Sequence, residues 1–233
     1  MRYFCVCLAV LFSFQASSTY AQELLTSIAA FGSFTTSSKL FLHPNDPDET
    51  VRGQYLPLNT IFSAGIELRR EFKTLGAQAG ISIEYIHKAN VYNVPALSAL
   101  IPVNDGYTVI PIELTGYFII PIGNERLHVY LGGGAGMYAG TRIHEYPGAT
   151  ATTIERNIGY GIHVLTGSEY FLQQSFSVRG ELKFRDVQFN AVNQFSQSSI
   201  IYKGAIYSLD QEKLPSRLNI DGMTGTISIA FHF

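Results

Sequence analysis

The sequence predicts an all-β protein, an up-and-down antiparallel transmembrane β-barrel of about eight strands. Two observations predict it. Segment after segment alternates apolar and small or polar residues with the period of a strand, where successive side chains point to opposite faces. The connections between these segments alternate short and long along the chain, and in an up-and-down barrel every second connection lies on the same rim. A composition of 46% hydrophobic and only 15% charged residues agrees, since no stretch after the N-terminus is apolar enough for a membrane helix. Strands of alternating polarity can hide that much apolar surface in lipid without any continuous run.

The elements follow in order. A first strand is expected over about Leu25 to Thr36, with Ile28, Ala30, Gly32 and Phe34 as its apolar face. Leu58 to Phe72 sets Phe62, Ala64, Ile66 and Leu68 against Ser63, Gly65, Glu67 and Arg69. Gly76 to Ile86 sets Ala77, Ala79, Ile81, Ile83 and Tyr85 against Gln78, Gly80, Ser82 and Glu84. In Thr108 to Ile120 the apolar face is Ile110, Ile112, Leu114 and Phe118, opposite Glu113, Thr115 and Tyr117. Leu127 to Thr141 places His128, Tyr130, Gly132, Gly134 and Tyr138 together, and Asn157 to Phe171 does the same with Gly161, His163 and Glu169. Phe176 to Arg185 alternates most sharply: Phe176, Val178, Leu182 and Phe184 against Ser177, Arg179, Glu181, Lys183 and Arg185. The last strand, from Met223, sets Ile227, Ile229, Phe231 and Phe233 against Thr224, Thr226, Ser228 and His232. Short connections are expected near Lys73 to Leu75, Ile122 to Arg126 (with Gly123-Asn124 as positive-φ turn residues) and Leu172 to Ser175. Long ones are expected over Ser37 to Pro57, Lys88 to Gly106, Arg142 to Arg156 and Asp186 to Arg217, and the first and last leave room for a further hairpin and hence ten strands.

The N-terminus reads as a cleaved export signal: Arg2, an apolar run from Phe4 to Phe14, then Thr19-Tyr20-Ala21, with cleavage expected between Ala21 and Gln22. Residues 1–21 are thus the signal peptide and 22–233 one barrel domain. Cys5 and Cys7, the only cysteines, fall in the removed part, which excludes disulfides and thiolate chemistry from the mature chain. Loss of Arg2 leaves 15 basic against 18 acidic residues, a charge of −3, with no electrostatic case for nucleic acid.

Two segments carry a resemblance. LNIDGMTGTISIAFHF (Leu218 to Phe233) alternates and finishes on an aromatic, and GYFIIPIGNERLHVYLGGGAGMYAG (Gly116 to Gly140) joins an aromatic strand to a glycine-rich one. Both resemble the small bacterial outer-membrane β-barrel proteins, the eight-stranded, opacity- and adhesin-like kind, and the likeness covers the whole mature chain. It implies short periplasmic turns, long external loops, a monomer in outer-membrane lipid, and assembly by the barrel-assembly machinery through Ile229, Phe231 and Phe233. The chain departs from that pattern in lacking Trp, so Tyr85, Phe118, Tyr170, Phe176, Phe184 and Phe233 are left to form the interface girdles.

Alternation alone does not say which face is inside; a soluble lipocalin-like barrel has the opposite sense. With lipid outside, Glu67, Arg69, Glu84, Glu113, His163, Glu169, Arg179, Glu181, Lys183 and Arg185 share a narrow lumen, where buried charges need partners. Glu169 is expected to meet Arg179, and Lys183 to lie near His163, in a plugged polar core. His128, His163 and His232 read as lumen filler, HPNDPDE (His43 to Glu49) as an exposed turn, and Gly132 to Gly134 as room for large lumen side chains. No cofactor, metal or catalytic set is expected. The functional expectation is a structural or surface-interaction barrel whose long loops meet an external ligand or host surface; Phe189 to Tyr207 is the best candidate for that contact, or equally an extension of the last hairpin above the membrane. The alternatives are a narrow channel for small solutes, a lipid-modifying enzyme and a soluble binding barrel.

Overall fold

A computed structural model describes residues 26–96, 99–124 and 126–233. The expected signal peptide, with Ala21, Gln22, Cys5 and Cys7, lies outside the described residues. Twelve strands occur among the described residues: β1 (Thr26–Phe41), β2 (Tyr55–Phe72), β3 (Ala77–Ala96), β4 (Ala99–Asn124), β5 (Leu127–Tyr146), β6 (Ala149–Arg156), β7 (Gly159–Gln173), β8 (Phe176–Phe195), β9 (Ser199–Tyr202), β10 (Ala205–Ser208), β11 (Leu214–Ile220) and β12 (Met223–His232). All pairings are antiparallel. The β6–β7 and β11–β12 pairs each run end to end as one wall strand, so the ring has eight strands. It closes where β1 pairs with β12, with Thr26 and Phe233 exchanging backbone bonds of 3.0 and 2.8 Å. The β9–β10 hairpin is the extra pair for which the Asp186 segment had room; it stands outside the ring.

The apolar faces point outward. Leu182, Phe184 and Ile227 are 49%, 51% and 70% exposed, which is incompatible with a barrel of lipocalin sense. All the girdle residues expected from the sequence are exposed as well. In the first strand, Ile28 and Phe34 face out while Ser27, Ser33 and Thr35 face in. About ten tilted residues cross the apolar band of such a barrel, and the strands carry outward apolar residues over that length.

The strands do not stop there. Of the expected long loops, most of the length is strand that carries the wall beyond the apolar band. Along β8 the pattern inverts without any change in register. Arg179, Lys183 and Arg185 face in, and then Val187, Phe189 and Ala191 do; outside, Leu182 and Phe184 give way to Asp186, Gln188 and Asn190. The same inversion occurs on β3 between Glu84 and Ile86, and on β4 between Glu113 and Val109. The wall is therefore inside-polar below and inside-apolar above. On β1 and β2 the switch also needs a one-residue slip. The β1 register changes between Thr35↔Thr224 and Lys39↔Asn219, and Thr60 of β2 takes a left-handed φ of 58°, so that Leu58 and Ile61 both turn inward.

Turn chemistry explains the tight connections. Tyr146-Pro147-Gly148-Ala149 is a two-residue turn with Pro first and Gly148 at φ 85°, where a long loop was expected over Arg142 to Arg156. Lys203 and Gly204 both have positive φ, the twist a two-residue hairpin requires between β9 and β10. The expected Gly123-Asn124 turn sits slightly later: both residues pair within the β4–β5 ladder, and the Asn124 side chain accepts from the Arg126 and Leu127 amides. Within HPNDPDE, Asp46 accepts from the Asp48 amide and Asp48 caps α1 (Glu49–Arg52), a single helical turn. No helix among the described residues is long and apolar enough to cross a membrane.

Candidate functional site

The lumen within the apolar band is a charge network. The β7–β8 register sets Glu169 opposite Arg179, whose Nε donates to Glu169 at 2.8 Å while its Nη2 donates to Ser27 at 2.7 Å. Arg69 donates through Nε to Glu67 at 2.6 Å, pairs with Glu181, and lies with its guanidinium 3.8 Å from the centre of the Tyr117 ring. Tyr117 donates to Glu67, and Tyr130 to Glu181 at 2.6 Å. One level up, Lys183 donates to Glu113 at 2.6 Å and Tyr138 to the same carboxylate at 2.5 Å. Arg185 grips Glu84 through both terminal nitrogens at 3.0 Å, and Ser63 completes that carboxylate.

His163 lies one alternate position along the ladder from its expected neighbour Lys183. The register sets it opposite Arg185, two residues from Lys183, and its Nε2 bonds the Thr115 hydroxyl at 2.9 Å. One void in this layer, of about 10 Å³ beside Glu67, Glu181 and Lys183, has room for about one water. Small residues make the packing possible. A Cβ on Gly134 would stand 1.9 Å from the Leu114 carbonyl oxygen, so β4 and β5 can approach only with glycine there.

His232 comes nearest to a catalytic arrangement. Its Nε2 lies 2.8 Å from the Ser177 hydroxyl, but Glu169 sits 3.1 Å from that same nitrogen and Ser177 donates to Glu169. A relay needs the acid on one ring nitrogen and the nucleophile on the other. This is a buried structural cluster. No group of three or more His, Cys, Asp or Glu able to hold a metal occurs among the described residues.

Above the charge network the bore fills with Leu40, Leu58, Ile61, Ile86, Val109, Phe189, Leu218 and Ile220, all buried. Next comes a second ionic group that the sequence reading missed. Asp105 of β4 is fully buried and accepts from Arg142 of β5 at 2.9 Å (Nε) and 2.6 Å (Nη2). His144 Nδ1 donates to it at 2.8 Å and Tyr92 at 3.3 Å. Burial opposes the Asp105 charge, yet these donors and the Arg142 cation outweigh it and hold the carboxyl below its ordinary value. Burial and the facing Asp105 push the Tyr92 phenol well up. Asn193 ties the group to the wall, donating to the Arg142 and Ala151 carbonyls at 3.1 and 3.0 Å. The signal for this group was parity: Asp105 and Arg142 continue the inward positions of Glu113 and Tyr138 past the expected strand ends.

At the external end lies a cavity of about 640 Å³, lined by His144, Val94, Ala96, Ile101, Tyr146, Phe195, Ile200, Ile206, Tyr207, Ser208, Leu209, Asp210 and Leu214. Val94, Ala96 and Ile101 of β3 and β4 and Ile200, Ile206 and Tyr207 of the β9–β10 hairpin contribute to its lining. A wider groove over Gly32, Gly180 and Gly225 lies on the outer, apolar face.

Among solved structures, the outer-membrane protein OprG of Pseudomonas aeruginosa matches this closed eight-strand ring over 90% of this chain and 95% of its own, with a TM-score of 0.59 at 12% identity. This is the fold of the small outer-membrane β-barrels. Neisserial surface protein A is similar at a TM-score of 0.47 and 10% identity, covering 87% of this chain and 95% of that one. The attachment invasion locus protein Ail of Yersinia pestis is similar at 0.46 and 11%, covering 90% and 98%. No family model matches the chain, and no curated protein matches it in sequence. What the match to OprG shows is architecture alone, the closed antiparallel ring of eight strands.

Proposed function

We propose that the protein resides as a monomer in the outer membrane of a Gram-negative-type bacterium and works at its external surface, in adhesion or recognition, without conducting solutes. On this reading the chain is exported by a signal cleaved between Ala21 and Gln22 and delivered to the barrel-assembly machinery by Ile229, Phe231 and Phe233, which form an outward row on the closing strand. The bore carries the reading: paired charges fill it from Glu169 to Glu84, and an apolar layer caps them. A wall that continues as ordered strand beyond the apolar band gives a rigid external platform, the kind of scaffold on which recognition segments are held.

Purified protein in planar bilayers is expected to be electrically silent; a reproducible unitary conductance overturns the non-conducting role. Fractionation and gel mobility test the location separately. The protein is expected in the outer-membrane fraction and to migrate differently after boiling, and recovery as soluble periplasmic protein overturns membrane residence.

A further inference from the structure

We propose that the external cavity binds a small amphiphile with an apolar body and a single hydroxyl group, which hydrogen-bonds Nε2 of His144. A volume of about 640 Å³ suits a small molecule, and such sites are mostly apolar with few, placed polar groups. Here most of the lining is apolar, and its polar side chains are His144, Ser208, Asp210 and the tyrosines Tyr146 and Tyr207. Asp105, ionised, only accepts, so the His144 Nδ1 at 2.8 Å must carry the hydrogen. With Nδ1 engaged by Asp105, Nε2 has no hydrogen-bond partner among the described residues, and the ring lines the cavity. A hydroxyl satisfies it, since it can both donate and accept.

Charge argues the same way. Arg142 and Asp105 pair with each other beside His144, and Asp210 among the lining residues repels an anion. The His144 ring stands edge-on to Tyr146 with centroids 5.5 Å apart and 5.4 Å from Phe195, so aromatic faces are at hand for a ring-bearing guest.

The test uses the full protein in lipid nanodiscs, with 4-propylphenol and propylbenzene as probes and empty discs as the partition control. Saturable binding of 4-propylphenol is expected, about tenfold tighter than propylbenzene, the worth of one buried hydrogen bond. His144→Phe is expected to erase that preference, and Ala96→Phe or Leu214→Trp, which fill the cavity from different walls, to abolish saturable binding of both probes. Each variant counts only if it keeps the folded gel mobility, and the two filling variants back each other. Binding no greater than in empty discs, equal affinity for both probes, a preference that survives His144→Phe, or binding undiminished in a folded filling variant overturns the proposal. The outcome is independent of whether the bore conducts.

Discussion

Glu113 shows how much rests on single side chains in the bore. It accepts from Lys183 and Tyr138, and Arg185 stands 3.8 Å away. Removing one member of a buried pair leaves the other charge without compensation, which costs about 3–5 kcal/mol, whereas replacing the whole pair by apolar groups is often near neutral. Glu113→Gln is therefore expected to destabilise the barrel by about 3 kcal/mol, and Glu113→Leu with Lys183→Leu by much less. Urea unfolding in lipid vesicles followed by gel mobility measures both; a double variant as weak as the single one contradicts the pairing. The glutamates and cations of this network were legible as a set because parity placed them on one face. Which partner each takes was only partly legible. Partners on neighbouring strands follow from a short turn, as Glu169 and Arg179 do, but Arg69 to Glu181 and Arg185 to Glu84 reach across the bore, which no strand pattern encodes.

Strands were legible where they cross the apolar band and illegible above it. Val187, Phe189 and Ala191 alternate as cleanly as Arg179 to Arg185, but in the opposite phase, and the inversion reads as the end of a strand. It marks a change of surroundings instead: lipid below favours apolar residues outside, water above favours them inside. The Pro147-Gly148 turn was written in the sequence and was hidden by the same assumption. This upper element depends on Asp105. Its carboxyl is held below the usual value of about 3.9, so the stability it contributes is full above that value and is lost as pH falls through the depressed one. Hydrogen exchange at pH 7, 4 and 2 is expected to show the Asn90–Asp105 and Gly140–Glu145 amides loosening before those of the transmembrane strands. Asp105→Asn is expected to show faster exchange there already at neutral pH. Uniform loosening of both halves argues against this.

Taken whole, the molecule is held together by two solvents. Ile227 faces lipid at the level of Gly32 and Gly180, so Ile227→Arg sets a charge on the apolar band at a cost of about 2–4 kcal/mol near the midplane. The same change at outward Gln188, above the band, is expected to be nearly neutral. Refolding yields into vesicles compare the two, and equal penalties contradict the placement of the band.

That placement has a mechanical consequence. A uniform greasy cylinder can bob in its membrane, but here a vertical slide of one residue pair drags Asp186 and Thr108 into hydrocarbon or lifts Phe184 and Ile110 into water. The barrel is thus pinned at one depth. Thick or thin host bilayers must deform to meet it, and its crown stands at a constant height above the headgroups.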